Sequence, residues 1–155
     1  MKVREIMTAD VVTARPDTPV NDIAKLMSDR GVTGIPVVDE ARRVIGIITE
    51  LDMIVRNMRL EMPAFIQILD LARIPLEMPG HYRSRLKHML GTRAADIMTQ
   101  EVVTVSPDDE VESLAETMVK RRLNPVPVVE SGVLVGIVSR ADLIRMMAHE
   151  LGAEG

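Results

Sequence analysis

Apolar positions along this chain follow one pattern that is written twice. In the first copy Val11-Val12-Thr13 is a short β-branched run, which predicts a strand. Pro16 and Pro19 punctuate it. Val20, Ile23, Ala24 and Met27 then fall at i, i+3, i+4 and i+7, the stripe of an amphipathic helix. Gly31 and Gly34 are placed to end that helix. Ile35-Pro36-Val37-Val38 reads as a strand with its proline near the start or on an edge. Residues 39–43 form a polar turn, Val44-Ile45-Gly46-Ile47-Ile48 a buried strand, and Thr49 opens a helix running to about Met58. In the second copy Val111, Leu114, Ala115 and Met118 make the helical stripe. Strands over 126–129 and 133–138 follow, joined at Ser131-Gly132, and Ser139 opens a helix to about His149.

The two copies align residue by residue. Residues 6–38 match 97–129 at an offset of 91, with 15 of 33 positions identical. Gly46-Ile47-Ile48-Thr49-Glu50-Leu51-Asp52 matches Gly136-Ile137-Val138-Ser139-Arg140-Ala141-Asp142 at an offset of 90. The lost residue falls in the intervening turn, where a length change costs little. Each copy is marginal in size if folded alone. Two copies predict a pseudo-twofold pair that buries a shared face and encloses two related clefts. The organisation is therefore repeat 1 over 1–58, an inserted linker over 59–95, repeat 2 over 96–150, and a frayed tail over 151–155. Within the insert, 62–72 and 81–90 have helical patterns, broken by Ile74-Pro75 and Pro79-Gly80.

Composition narrows the picture. A net charge of −4 argues against general nucleic-acid affinity, which rests on neutralised phosphates. Cysteine is absent, so disulfides and thiolate metal sites are excluded, in keeping with a cytoplasmic protein. No run of ~18 apolar residues predicts a membrane span, and no apolar signal core follows Met1. Phe65 and Tyr82 are the only aromatic residues, against twelve methionines, which predicts a pliable aliphatic core. His81 and His88, seven apart, and His149 have no nearby Asp or Glu that completes a metal site, so no metal is expected. Charge sums to −1 over 1–58, +3 over 59–95 and −6 over 96–155; the basic run Arg83, Arg85, Lys87 and Arg93 reads as a soluble helix face. No phosphate-loop, dinucleotide or zinc-protease motif is present, and no spacing supports a nucleophile–base pair.

The chemistry concentrates at the two corners Thr49-x-x-Asp52 and Ser139-x-x-Asp142. Each buried strand delivers a hydroxyl to a helix start, with an aspartate three residues on. Free N–H groups there favour an anion. The carboxylate can accept hydrogen bonds from vicinal hydroxyls such as those of ribose, and the preceding glycine would let a flat group approach the strand. The same spacing also makes a capping box, worth ~1 kcal/mol to the helix with no ligand at all.

The doubled Ile-Met-Thr…Val-Val-Thr…Pro-Asp opening, the apolar-Pro-Val-Val strand and the closing Gly-apolar-apolar-Thr/Ser-x-x-Asp together resemble the cystathionine-β-synthase (CBS) domain family. The likeness covers roughly 110 of the 155 residues. It implies an α/β (α+β) fold, a tandem domain pair (a Bateman module) of β-α-β-β-α repeats with pseudo-twofold symmetry. It also implies a non-catalytic sensor binding AMP, ADP, ATP or S-adenosylmethionine, often assembled as a disc-like homodimer. By position, Asp52 and Asp142 resemble ribose ligands, and Thr49 and Ser139 phosphate or ribose contacts. Ile35-Pro36 and Val126-Pro127 resemble the walls of an adenine slot, and Thr13 and Thr104 the residues closing it. The 59–95 insert is longer than the usual linker of such pairs.

The corners differ in charge. Glu50 begins the first helix and Arg140 the second, and Lys120, Arg121 and Arg122 precede the second apolar-Pro strand. The second cleft is therefore expected to prefer the more phosphorylated ligand. With no output domain in the pattern, the regulated target is expected to be a separate protein or the dimer surface itself. The alternative reading is a structural or protein-interaction module with vestigial clefts.

Overall fold

The structure, a computed structural model, describes residues 1–59 and 92–153. The helices expected at 62–72 and 81–90, both aromatic residues, His81 and His88 lie outside the described residues. Helices α1 (Val3–Ile6) and α2 (Val20–Arg30) precede strands β1 (Gly34–Val38) and β2 (Val44–Thr49), which lead into α3 (Glu50–Arg59). Past the undescribed stretch come α4 (Ala94–Ile97), α5 (Val111–Arg121), β3 (Val126–Glu130), β4 (Val133–Val138) and α6 (Arg140–Ala153). The last helix continues about four residues beyond the expected end near His149, through Gly152, because no breaker precedes that glycine.

Each repeat is built around an antiparallel hairpin, β1–β2 or β3–β4. The ladder slips at the same place in both, between Val37 and Val38 and between Val128 and Val129. The copies differ where their lengths do. Ser131 and Gly132 both have positive φ, 51° and 80°, which matches the twist of a two-residue hairpin turn. The longer first turn is tied by Asp39, whose Oδ1 accepts from the N–H groups of Ala41 and Arg43 at 2.9 Å each.

The strand expected at 11–13 is reduced to one parallel bridge, Ala14 to Val37, matched by Val105 to Val128. Pro16 and Pro107 turn the chain directly afterwards, which leaves one residue per copy free to pair. On the other edge of each hairpin the repeats exchange their openings. Thr8 pairs with Ile137 of repeat 2, and Thr99 pairs with Ile47 of repeat 1, each through two N–H···O bonds of 2.9–3.0 Å. Val3 donates to the Asp109 carbonyl at 2.9 Å, and Ala94 to the Thr18 carbonyl at 2.8 Å.

The cores follow this exchange. Val3, wholly buried, joins Leu114, Met118, Val126, Val128 and Val138, while Ala94 joins Ala14, Ile23, Ile35, Val37 and Ile48. The core is aliphatic apart from Met118, and Met7, Met27, Met53 and Met98 pack at its margins. Lys2 clasps Glu110 and Arg4 clasps Asp108 across the first crossing. The Lys2 ammonium holds the Glu110 carboxyl below the usual carboxylate range.

The glycines of β2 and β4 serve this crossing. A Cβ on Gly46 would lie 2.4 Å from Met98 Sδ and 2.7 Å from its Cγ; on Gly136 it would lie 2.5 Å from Met7 Sδ. The sequence leaves the bare face of each glycine to a flat ligand. The structure corrects this: a thioether from the opposite repeat occupies it, because the exchanged Ile-Met-Thr segment lies along the strand edge.

Candidate functional site

The pseudo-twofold relation brings equivalent positions face to face. Asn124 Nδ2 donates to Thr33 Oγ1 at 3.4 Å, and a Cβ on Gly34 would meet Pro125 Cδ at 2.4 Å. These four residues lie at the starts of β1 and β3, so the starts of α3 and α6 also gather near the junction. Asn124 Oδ1 accepts from the N–H of Arg140 at 3.0 Å, while the N–H of Glu50 reaches the Thr33 carbonyl at 2.9 Å.

A cavity of about 230 Å³ opens there, built from both repeats. Repeat 1 supplies Ile47, Thr49, Glu50 and Asp52. Ile47 and Thr49 share one face of β2, since side chains alternate along a strand. The Ile47–Thr99 pairing then lays the opening of repeat 2 beside them, and Thr99, Val102 and Val103 form a facing wall. Arg122, Asn124, Pro127 and Arg140 complete it from repeat 2, with Glu101 at the wall.

Both corners are capping boxes. Asp52 Oδ2 accepts from Thr49 N at 2.8 Å and Thr49 Oγ1 at 3.0 Å; Asp142 Oδ2 accepts from Ser139 N at 2.7 Å and Ser139 Oγ at 2.8 Å. Beyond that they diverge. Asp52 is half-buried on the cavity wall, and among the described residues its Oδ1 has no hydrogen-bond partner. Asp142 is 6 % exposed, and its Oδ1 accepts from Arg145 Nη1 at 2.9 Å.

Of the twelve residues singled out by sequence, the cavity gathers Thr49, Asp52, Arg122, Pro127 and Arg140. Thr13, Ile35, Pro36, Thr104, Val126, Ser139 and Asp142 are not on its wall. Ile35 and Val126 are wholly buried in the two cores, since inward-facing strand positions pack there first. The sequence assigns Arg122 and Arg140 to the cleft of Asp142; the structure puts both with Asp52. A linear repeat does not show that the pseudo-twofold turns the second helix start toward the first corner. Thr99, Val102, Val103 and Asn124 escaped the sequence reading. For Thr99, Val102 and Val103 the signal is the repeated Met-Thr-x-x-Val-Val stretch, legible as a repeat but not as a wall of the other repeat's cavity; Asn124 carries no such signal.

Arg122 has φ +54°, the left-handed region, where it caps the C-terminus of α5. Its counterpart is Gly31, at φ +61°. Among the described residues neither Arg122 nor Arg140 forms an ion pair. No group of three His, Asp or Glu side chains suited to a metal occurs among the described residues. Nor, among those residues, is any helix long and apolar enough to cross a membrane.

The CBS domain model matches residues 3–57 and 94–149. An uncharacterized protein of Methanocaldococcus jannaschii is 31 % identical over 157 residues, covering 95 % of this chain and 91 % of that protein. Other curated relatives are longer, the chain spanning 62 % and 43 % of two of them. Among solved structures, CBSX2 in complex with AMP superposes with a TM-score of 0.72 at 22 % identity, covering 96 % of each chain. The CBS domain pair of protein MJ0100, in complex with 5′-methylthioadenosine and S-adenosyl-L-methionine, gives 0.72 at 24 % identity over 95 % of this chain and 99 % of that one. With the duplicated hairpins, the exchanged openings and the two matched segments together, the chain belongs to the CBS domain family as a tandem pair of CBS domains.

Proposed function

We propose that this protein is a non-catalytic regulatory module that binds an adenosine-containing ligand in the cavity beside Asp52. One observation carries the reading: a carboxylate with an uncommitted oxygen shares an open cavity with two guanidinium groups that lack an ion-pair partner among the described residues. Asp52 suits a ribose diol, Val102 and Val103 a flat base, and Arg122 or Arg140 an anionic group. The AMP, 5′-methylthioadenosine and S-adenosyl-L-methionine held by the CBS pairs above support the ligand class. The cavity lies below the ~300–1,000 Å³ of drug-sized clefts. A nucleoside would take up most of such a volume, and the phosphates of AMP, ADP or ATP would extend out of it. Because both repeats line the site, a ligand that prefers one relative setting of the repeats shifts the molecule toward it. A regulated target, or the contact between two copies of the chain, would read that shift.

Thermal shift against adenosine, AMP, ADP, ATP and S-adenosylmethionine tests this. A ligand at ~100 times its Kd adds ~2.7 kcal/mol, or roughly 5–11 °C in Tm for a chain of this size. Asp52→Ala should abolish the shift. A silent panel would overturn the reading. It would favour a structural or protein-interaction module, which the two complete capping boxes already permit.

A further inference from the structure

Asp142 is the buried carboxylate for which the Asp52 cavity has no use. It occupies the same place in repeat 2 as Asp52 in repeat 1 and makes the same two bonds to its capping hydroxyl residue. What differs is the third bond. Arg145 stands one turn along α6 and donates Nη1 to the remaining oxygen of Asp142 at 2.9 Å. At the offset of 90 its counterpart is Val55, which has neither charge nor donor. The carboxylate under Arg145 is 94 % buried, whereas the guanidinium itself is largely exposed.

Two bonds already load Oδ2 of Asp142 and Arg145 takes one acceptor site of Oδ1, so a sugar diol donating both hydroxyls would find a single site left and would have to displace the guanidinium. A hydrogen bond to a charged, buried acceptor is among the stronger ones, so displacing it is costly. The exposed guanidinium can swing into water, which lessens that cost without removing it. We infer that Arg145 is a tethered occupant of the second corner, so that the chain holds one ligand, at Asp52, and Arg145 determines this selectivity. The inference rests on the proposed reading of the Asp52 cavity for its ligand class. The duplication supplied two like corners; the substitution at one surface position of α6 sets them apart. Arg140, the other arginine of this helix start, is already turned into the Asp52 cavity and leaves Arg145 as the cation at its own corner.

Isothermal titration of the full chain with AMP tests this, using wild type, Arg145→Val (the repeat 1 residue) and Asp52→Ala. Wild type should take up one equivalent, lost in Asp52→Ala. Arg145→Val should gain a second equivalent, binding at least tenfold more tightly than any second event in wild type. The substitution is at an exposed side chain, and a circular-dichroism melt confirms that the variant is folded. Two equal sites in wild type would overturn the inference. So would an Arg145→Val protein that still binds one equivalent, or a second event weakened by the substitution. Absence of binding in wild type would instead defeat the reading of the Asp52 cavity. In that case Arg145→Val still decides whether Arg145 occupies the second corner: binding gained in this variant alone supports it, and none overturns it.

Discussion

At the residue scale, Arg122 carries a conflict between backbone and ligand chemistry. Glycine is the residue that takes a left-handed helix cap without strain, and repeat 1 uses it at Gly31. Repeat 2 holds an arginine there at a cost of about 1 kcal/mol and presents it to the cavity. Strain kept at such a place is explained by what the side chain does. Arg122→Gly should therefore move two quantities in opposite directions. The unliganded protein should gain roughly 0.5 kcal/mol, strain relief offset by the greater freedom of an unfolded glycine. AMP affinity should fall about tenfold or more, the loss of a charge-assisted bond, while adenosine affinity stays unchanged. Paired melts and titrations read both. A variant less stable than wild type, or equal losses for AMP and adenosine, would show that Arg122 serves the fold alone. Sequence made the capping boxes and the charged candidates legible, because spacing along a helix start is local. It could not show which corner each arginine faces, since that depends on the pseudo-twofold.

At the scale of elements, the hairpins and the long helices could be read from alternation and the 3.6-residue stripe. The hairpin turns, too, fell where the copies differ in length. The exchange of openings could not be read, because Ile6-Met7-Thr8 and Ile97-Met98-Thr99 are alike and periodicity does not say which hairpin edge each will join. The exchange has an energetic signature at Gly46. An alanine there would force its methyl against Met98 Cγ at 2.7 Å and Cβ at 3.0 Å, and the Cβ belongs to a segment bonded to β2. Gly46→Ala should cost about 1–3 kcal/mol through overpacking. Met98→Ala removes a half-buried side chain and is destabilising by itself. Combined, the two should cost clearly less than their sum, because the new methyl enters the space the thioether left. Denaturant unfolding of the four proteins gives the cycle. Additivity within ~0.5 kcal/mol would mean that this contact does not tie the two repeats.

At the scale of the whole molecule, large aliphatic side chains remain in water on the closing helix of each repeat. Leu51, Ile54 and Val55 of α3 are exposed, and so are Ile144, Met147 and Leu151 of α6. Ile54 and Ile144 are equivalent positions, half or more exposed in both copies. Apolar groups clustered in this way mark an interaction surface. The surface is written twice by one duplication, and we expect its complement to be a second copy of the chain, which could close about a twofold axis and cover both helices at once. An unrelated partner would have to match both helices independently. Sedimentation across a hundredfold range of concentration should therefore show a dimer dissociating to monomer. Ile54→Asp with Ile144→Asp should leave monomer throughout while keeping the AMP-induced rise in Tm, because neither side chain lines the Asp52 cavity. A wild-type protein that stays monomeric at high concentration would free these helices for another chain. Loss of the AMP response in the double variant would place the ligand's effect at the subunit contact rather than between the repeats.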